Sequence, residues 1–309
     1  MALSSSQKAV LTGAVRGKIR WDAPLSEWTT YRIGGPADAL VTLLDVEDLQ
    51  ELLRLCVSQQ MRWKLLGWGA NILAADEGYR GIVIVLGDGF KYIGRDRQDD
   101  EESTLVKNGA GVSLAKLSSW CGDIGLSGFE FASGIPGTVG GGVVMNAGAW
   151  GRSMADVVTG IELVDHEKIE IINEEHLGFS YRTCRALVGR KHSVVTGVTM
   201  CFKKADPEQI RETIRTLKEK RQQRQPYGKP TCGSVFKNPE GISAGRLIDE
   251  AGLKGLRIGD AEVSTKHANF IENCGKATAR DVQALMDEIR NKVLQTSGVD
   301  LIPEVQFLS

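Results

Sequence analysis

The sequence predicts an α+β protein built from two or three packed units. Amphipathic helical segments are interspersed with short apolar runs of strand length, and the alternating residues at Gly160–Val164, Lys168–Ile172 and Ser193–Phe202 indicate antiparallel strands. A chain of 309 residues also exceeds the usual size of one domain. The sequence pattern changes near Asp206, which separates two N-terminal subdomains from a C-terminal domain of helices on a small sheet.

The N-terminal subdomains are predicted from local patterns. Asp45 is predicted to cap a helix over Asp45–Gln59, because apolar residues share one face of it: Val46, Leu49, Leu52, Leu53 and Cys56. The other predicted elements are a short amphipathic helix within residues 1–27, strands at Lys64–Gly67, Ile82–Leu86 and near Leu105–Asn108, an exposed polar loop at Arg95–Ser103, and a helix from about Ser113 to Asp123. No pattern assigns a role to residues 1–27.

The C-terminal domain is predicted to begin with a basic helix. Asp206 caps this helix and Pro207 takes its first position, after which the helix runs to about Gln223. The remaining predicted elements are a loop at 226–241, a helix at Ser243–Ala251, a strand at His267–Glu272, a helix from Thr278 to about Gln295 and a strand around Val299–Leu308. The apolar stripe of the last helix consists of Val282, Leu285, Met286, Ile289 and Val293.

The composition excludes several classes of function. With 42% hydrophobic residues, 25% charged residues and a net charge of -1, the chain is typical of a globular cytoplasmic protein and has no global charge for binding nucleic acid. No apolar stretch approaches the roughly 20 residues of a membrane helix, and the N-terminus lacks the pattern of a secretory signal. The six cysteines form no CxxC pair and do not cluster with histidine, so neither disulfides nor a metal site are expected.

Two glycine-rich segments, Leu66–Leu73 and Ser133–Gly151, indicate a phosphate-binding cradle. Backbone N–H groups can point at a pyrophosphate where no bulky Cβ atom intervenes. Isolated glycines more often only form turns, but two such blocks favour a binding role. Neither block is a GxGxxG fingerprint that opens a helix after a strand, and no GxxxxGK[ST] motif occurs. A kinase and a classical Rossmann dehydrogenase are therefore disfavoured.

These segments resemble the UDP-N-acetylenolpyruvoylglucosamine reductases. The resemblance is carried, from about Trp28 to the C-terminus and in order, by TYRIGG at Thr30, GWGANIL at Gly67, SGIPGTVGGGVVMNAGAWG at Ser133, FSYR at Phe179, CGSVFKNP at Cys232, GRLIDEAGLKG at Gly245, HANFI at His267 and IPEVQF at Ile302. Departures are Ala70, where the family often has serine, and Trp68 and Gly142, none of which removes a catalytic group. Only about ten residues separate Arg182 from the strand near Ser193, which matches the shorter form of the family without an inserted substrate loop.

The resemblance implies a two-subdomain FAD-binding fold of the vanillyl-alcohol-oxidase type and a C-terminal α+β substrate domain. The implied boundaries are an extension at 1–27, an FAD-binding domain at 28–205 with subdomains at about 28–94 and 104–205, and a substrate domain at 206–309. The implied FAD contacts are Tyr31, Arg32, Gly67, Gly69, Ala70, Asn71, Ile72, Gly134, Ile135, Pro136, Gly137, Thr138, Gly141, Asn146 and Gly148. No histidine precedes residue 160, so we expect FAD to be held non-covalently.

The implied reaction is the NADPH-dependent reduction of an enolpyruvyl group on a UDP-sugar, a step in peptidoglycan precursor synthesis. It requires hydride at one alkene carbon, a proton at its neighbour and stabilisation of the charge that develops on the attached carboxylate. Arg182 is predicted to stabilise that charge, because its guanidinium grips carboxylates bidentately. The resemblance further implies Ser234 as the proton donor and Glu304 as a hydrogen-bonding group or general acid.

Substrate contacts are predicted in the basic segment that leads to Ser234. Arg221, Arg224, Lys237 and Asn238 are candidates for phosphate and uridine contacts, although a solvated basic helix face explains the arginines equally well. His267 is expected to be a structural hydrogen-bonding residue and Cys232 a small buried thiol. A monomer without nucleic-acid or membrane partners is expected.

Two alternatives remain open at this point. Another FAD-dependent oxidoreductase of the same fold, acting on a different small substrate, would explain the glycine blocks but not the combination of GSVFKN, FSYR and PEVQF. A non-catalytic flavin or nucleotide sensor would not need Arg182, Ser234 and Glu304, all of which are present.

Overall fold

The computed structural model describes residues 2–95 and 102–309, and its helices include all six predicted ones. The helices are α1 (Ser5–Ala14), α2 (Val46–Ser58), α3 (Leu114–Asp123), α4 (Val139–Val144), α5 (Glu174–Leu177), α6 (Pro207–Arg224), α7 (Ala244–Glu250) and α8 (Ala279–Ser297). The predictions that correspond to α1, α2, α3, α6, α7 and α8 are confirmed.

The strands are mostly short, and short 3-10 turns occur between several of them. The strands are β1 (Lys18–Pro24), β2 (Pro36–Leu43), β3 (Trp63–Leu65), β4 (Ile72–Ala74), β5 (Tyr79–Leu86), β6 (Ile93–Arg95), β7 (Ser103–Gly109), β8 (Leu126–Ser127), β9 (Gly148–Ala149), β10 (Arg152–Ser153), β11 (Val158–Val164), β12 (Ile169–Asn173), β13 (Phe179–Ser180), β14 (Thr183–Cys184), β15 (Val194–Lys204), β16 (Arg257–Ile258), β17 (Ala261–Val263), β18 (Ile271–Asn273) and β19 (Gln306–Leu308).

The two best-predicted helices show why local patterns sufficed for them. The Asp45 side chain accepts a hydrogen bond from Asp48 N and caps α2. Thr278 and Asp281 form a reciprocal capping box at the start of α8, and Gly298 (φ 72°) ends that helix in the left-handed region. The predicted apolar stripe of α8 is buried along its whole length.

The larger sheet confirms the predicted antiparallel strands. Its order is β12-β11-β15-β7-β6, and β8 also pairs with β15. Strand β15 pairs antiparallel with β7 in a continuous register from Gly197↔Gly109 to Lys203↔Ser103, and antiparallel with β11. The other sheets are β1-β2-β5-β3, β16-β17-β18, the antiparallel pairs β10-β9 and β13-β14, and a parallel pair of β19 with β4.

Several predictions from the sequence are wrong in detail. The strand predicted at His267–Glu272 begins only at Ile271, because the preceding residues form a turn in which Ser264 N donates to Phe270 O and Phe270 N to His267 O. The strand predicted at Val299–Leu308 is confined to β19, and β1, β16, β17 and the glycine-rich helix α4 were not foreseen. Of the loop predicted at Arg95–Ser103, the two end residues belong to β6 and β7, and residues 96–101 lie outside the described residues.

The chain divides into two compact units, each of which is formed by three segments that are not consecutive in sequence. The first unit comprises Met1–Arg20, Ala39–Gly67 and Gly81–Lys220. The second comprises Trp21–Asp38, Trp68–Arg80 and Arg221–Ser309. A hydrophobic core of the second unit surrounds Tyr31, Leu73, Phe236 and the buried face of α8. The predicted boundaries near residues 27 and 205 stay a prediction.

Among the described residues, no helix has both the length and the apolar character that crossing a membrane requires.

Candidate active site

The first glycine-rich segment, Leu66–Leu73, follows β3 and runs into β4. A Cβ atom at Gly69 would lie 2.3 Å from Trp28 O, and Gly69 has φ +61°, so this position requires glycine. The backbone N of Thr30 donates to Gly69 O at 3.2 Å, which holds the two loops of the second unit together. Gly67, in the first unit, is exposed, and a Cβ there would approach Thr138 Oγ1 to 2.9 Å. Ala70 and Ile72 are half-buried.

The second glycine-rich segment contains helix α4. Thr138 caps this helix by accepting a hydrogen bond from Gly141 N at 3.2 Å. A Cβ atom at Gly140 would lie 2.8 Å from Ala110 Cβ, so packing favours glycine there, and one at Gly142 would lie 3.2 Å from Leu114 Cδ2, a close contact. Upstream of Thr138 lie partly exposed loop residues: Gly134, Ile135, Pro136 and Gly137. Downstream, a Cβ at Gly148 would lie 2.5 Å from Arg152 O.

Gly141 differs from its two glycine neighbours. It is exposed, and the nearest atom to a Cβ built there is Thr138 Oγ1, at an ordinary contact distance of 3.4 Å. Packing within the protein therefore does not explain the missing side chain, whereas the approach of a bound group to the backbone does. This open backbone surface is the feature that fits a flavin pyrophosphate.

We expect Gly141→Ala to weaken flavin binding about tenfold or more without destabilising the flavin-free protein. Alanine favours a helix interior over glycine by about 0.5–1 kcal/mol, so the unfolding free energy should be unchanged or slightly higher. Flavin titration followed by fluorescence, with urea unfolding of the flavin-free protein, measures both quantities. Gly13→Ala is the control, because Gly13 lies in α1 and nothing lies within 4 Å of a Cβ atom placed there. Equal flavin affinity of the two variants would contradict the expectation.

Arg182 lies in the two-residue turn between β13 and β14 of the first unit. Its φ is +56°, an uncommon conformation for a residue with a side chain, and its guanidinium carbon lies 5.2 Å from the centroid of the Tyr181 ring. Asn146 Nδ2 donates to Ser180 O at 2.9 Å, while Asn146 Oδ1 accepts from Ala155 N at 3.0 Å. Asn146 thus connects the second glycine-rich segment to the turn that carries Arg182.

Ser234 and Glu304 lie on adjacent segments of the second unit. Glu304 N donates to Val235 O at 2.8 Å, and Phe236 forms an antiparallel bridge with Pro303. Glu304 is only 8% exposed, whereas a glutamate in an alternating strand would ordinarily face water. Its negative charge makes a minor contribution to raising the pKa of the Cys232 thiol, two residues before Ser234. Burial is the main cause of that shift, which takes the pKa of Cys232 to about 12 and confirms the expected buried thiol.

Two asparagines fix these segments, and one of them, Asn269, was not among the predicted site residues. Asn269 is 2% exposed; its Oδ1 accepts from Phe236 N at 3.0 Å and its Nδ2 donates to Phe236 O at 2.8 Å. Asn71, predicted as a cofactor residue, donates from Nδ2 to Glu304 O at 3.1 Å and accepts at its carbonyl from Gln306 N. The first glycine-rich segment and the Glu304 segment are therefore joined directly. The position of Asn269 within HANFI was the only signal in the sequence for its role.

The structure separates the four predicted substrate residues by environment. Burial lowers the pKa of Arg221 to about 10, and no carboxylate within residues 2–95 and 102–309 forms an ion pair with it. Arg224 and Asn238 are exposed, and Asn238 Oδ1 accepts from Ala244 N at 3.0 Å. Lys237 is half-buried.

His267 accepts a hydrogen bond, in line with the structural role expected for it. Its Nδ1 accepts from Asn269 N at 3.3 Å, and its ring meets Phe270 edge-on at 4.8 Å between centroids. Burial lowers the pKa of His267, and the nearby charges of Lys254 and Arg221 lower it further.

Tyr31 and Arg32 have opposite environments. Tyr31 is fully buried beside Cys232, and burial raises the pKa of its hydroxyl well above the usual value. Arg32 is exposed and has φ +57°. Their predicted contacts with FAD stay predictions.

Two family models match the chain. "UDP-N-acetylenolpyruvoylglucosamine reductase, C-terminal domain" matches residues 225–308, which include Ser234 and Glu304, and "FAD binding domain" matches residues 37–172. The predicted FAD-binding domain and α+β class are thereby confirmed.

Similar proteins carry the same description over nearly the whole chain. UDP-N-acetylenolpyruvoylglucosamine reductase 2 of Symbiobacterium thermophilum is 45% identical over 94% of this chain and 92% of its own length. The reductase of Bacillus subtilis is 37% identical over 94% of both chains. The crystal structure of the reductase of Thermus caldophilus superposes with a TM-score of 0.77 at 35% identity, covering 95% of this chain and 99% of that one.

Proposed function

The chain belongs to the UDP-N-acetylenolpyruvoylglucosamine reductase family, and on this basis we propose that it reduces the enolpyruvyl group of UDP-N-acetylglucosamine enolpyruvate to give UDP-N-acetylmuramate. It is an FAD-dependent oxidoreductase. One observation carries the assignment: the residues that match the reductase-specific domain hold Ser234 and the buried Glu304 on hydrogen-bonded segments. The alternative of an unrelated small substrate is not favoured, because it does not account for that domain.

The reaction adds one hydride and one proton across the carbon–carbon double bond. FAD, when bound, supplies the hydride and is itself reduced by NADPH. The exposed backbone at Gly67 and Gly141, both in the first unit, is suited to hold its pyrophosphate through N–H groups.

Ser234 donates the proton in this proposal. The hydroxyl transfers its proton to the carbon adjacent to the one that accepts the hydride, and water then reprotonates the serine oxygen. Gly233, at φ +81°, forms the turn before Ser234, and Lys237 supplies positive potential three residues further on. The loop is anchored on its C-terminal side by Val235 N, which donates to Asn269 O at 2.9 Å.

Arg182 and Glu304 act on the substrate carboxylate. The guanidinium of Arg182 donates two hydrogen bonds to the carboxylate and stabilises its developing negative charge. The contact of Arg182 with the Tyr181 ring restricts the side chain, so less conformational entropy is lost on binding. A carboxyl group donates a hydrogen bond only when protonated, so Glu304 serves either as that donor or as a general acid. Its burial strengthens such interactions, because the surrounding dielectric is low.

Arg221 is the best-supported phosphate contact among the predicted substrate residues. Arg221 is half-buried and has no carboxylate partner in the described part of the chain. Partial burial of an unpaired charge costs free energy, and an anionic ligand would offset that cost. Arg224, Lys237 and Asn238 are proposed as further contacts.

We also propose that the protein acts in the cytoplasm as a monomer. Its product supports cell-wall synthesis, and thereby cell shape and cell division.

Stopped-flow absorbance of the bound flavin tests the proposed function. The flavin is reduced anaerobically with NADPH and then mixed with UDP-N-acetylglucosamine enolpyruvate. We expect rapid return of the oxidised flavin band, with UDP-N-acetylmuramate as the product. Bound flavin that the UDP-sugar fails to reoxidise would refute the substrate assignment and leave the fold unaffected.

A further inference from the structure

Thr30 lies at the junction of two loops of the second unit that carry different parts of the chemistry. Its Oγ1 donates to Thr231 O at 2.7 Å and also lies 3.3 Å from Gly69 O. Its backbone N donates to Gly69 O at 3.2 Å. Thr231 begins the short segment Thr231–Ser234, and Gly69 belongs to the first glycine-rich segment.

The Thr30 hydroxyl forms its stronger hydrogen bond with the loop that carries Ser234. A hydroxyl has one hydrogen to donate, and the distance of 2.7 Å to Thr231 O is near the optimum for this kind of bond, whereas 3.3 Å to Gly69 O is long. The link to Gly69 is already made by the backbone N–H, which any residue at this position other than proline retains. Removing the hydroxyl therefore releases Thr231 and leaves the glycine-rich segment attached.

A second hydrogen-bonded bridge joins the loop at Thr30 and Tyr31 to the residues just before the Thr231–Ser234 segment. Asn273 Nδ2 donates to Tyr31 O at 3.0 Å, and Asn273 N donates to Pro230 O at 2.9 Å. The loop that carries Ser234 is thus held before the serine at Pro230 and Thr231, and after it at Val235. Within this arrangement, the Thr30 side chain binds the backbone three residues before Ser234.

We propose that Thr30 is a positioning residue for proton transfer: its hydroxyl fixes Thr231 and thereby orients the Ser234 hydroxyl relative to the glycine-rich segment. This inference rests on the proposed function and adds a residue to it. A displaced donor slows a reaction steeply, since a misplacement of about 1 Å can cost on the order of 100-fold in rate.

The test uses the flavin-bound enzyme and separates the two half-reactions. We expect Thr30→Val to slow reoxidation of the reduced flavin by UDP-N-acetylglucosamine enolpyruvate about 10- to 100-fold. Reduction by NADPH and flavin affinity should stay within about twofold, because the backbone link to Gly69 is kept. Thr30→Ser retains the donor and should restore most of the rate. Thr30→Ala removes the hydroxyl without adding a methyl group and carries the same test if the valine variant does not fold.

A double-mutant cycle distinguishes positioning from general stability. If Thr30 acts through Ser234, adding Thr30→Val to Ser234→Ala should change the reoxidation rate less than about twofold. Thr29→Val is the matched control: the hydroxyl of this adjacent threonine bonds within its own turn, donating to Ile33 O at 3.0 Å. Its effect on the rate should be the same with and without Ser234.

Three outcomes would overturn the inference. Wild-type reoxidation by Thr30→Val and Thr30→Ala would show that the hydroxyl does not position the donor. An equal loss of rate in the Ser234→Ala background would show a purely structural role. Failure of the wild-type enzyme itself to be reoxidised by the UDP-sugar would instead refute the proposed function, and the inference with it.

Discussion

Ser234→Ala is expected to keep bound flavin and its reduction by NADPH, and to slow reoxidation by UDP-N-acetylglucosamine enolpyruvate by about 10²- to 10⁴-fold, the usual contribution of a positioned proton donor. The substitution removes one oxygen from a half-buried side chain and leaves the backbone anchors at Thr231 and Val235 in place. The half-reactions are followed by stopped-flow absorbance, with the product identified by mass.

Ser243→Ala is the matched control for this prediction. Ser243 caps α7 in the same unit by accepting a hydrogen bond from Arg246 N at 3.0 Å, so its loss should cost about 1 kcal/mol of unfolding free energy without slowing reoxidation. Normal turnover by Ser234→Ala would show that another group supplies the proton. Glu304 would then be the next candidate, because it is buried on the adjacent segment.

Gly69→Ala is expected to lower the unfolding free energy by about 3 kcal/mol or more, and to abolish flavin binding at concentrations that saturate the wild type. The left-handed backbone conformation, φ +61°, costs a residue with a Cβ about 1–2 kcal/mol. The added methyl group would also lie 2.3 Å from Trp28 O and 2.7 Å from Thr29 Cα, so the backbone must move. Urea unfolding and flavin titration measure the two effects.

Gly228→Ala isolates the steric part of that loss. Gly228 has φ +77°, similar to Gly69, but nothing lies within 4 Å of a Cβ atom built there. We expect this variant to lose only about 1 kcal/mol and to bind flavin normally. If both variants lost the same amount of unfolding free energy, the close approach of the 28–29 backbone to Gly69 would not contribute to the effect of Gly69→Ala.

The sequence was sufficient where a structure depends on neighbours a few residues apart. Helix α8 is predicted by its 3.6-residue apolar stripe and its capping residue Thr278, and both features act within one or two turns. The glycine-rich segments could also be recognised, because the sequence itself shows which residues lack a side chain. Ser234 and Glu304 were identified by resemblance, and the structure places them on segments that are hydrogen-bonded to each other.

Prediction failed where tertiary contacts override local preference. The residues of HANFI have strand-like composition, yet Asn269 uses its backbone carbonyl and its side-chain amide to bind Val235 and Phe236, so the chain turns there instead. Helix α4 forms in a glycine-rich sequence of poor helix propensity, because Thr138 caps it and Gly140 and Gly142 pack closely against Ala110 and Leu114.

The fold class, the principal helices and the two glycine-rich segments follow from short-range patterns, which can be recognised in the sequence alone. The residues that the functional loops contact cannot be predicted in this way, because they lie far away in the sequence. Thr30 meets Thr231 across 201 positions and Asn71 meets Glu304 across 233, and no local periodicity encodes such a pairing. The same holds for Gly141: only its neighbours in space, or their absence, distinguish a glycine needed for packing from one that leaves room for a ligand.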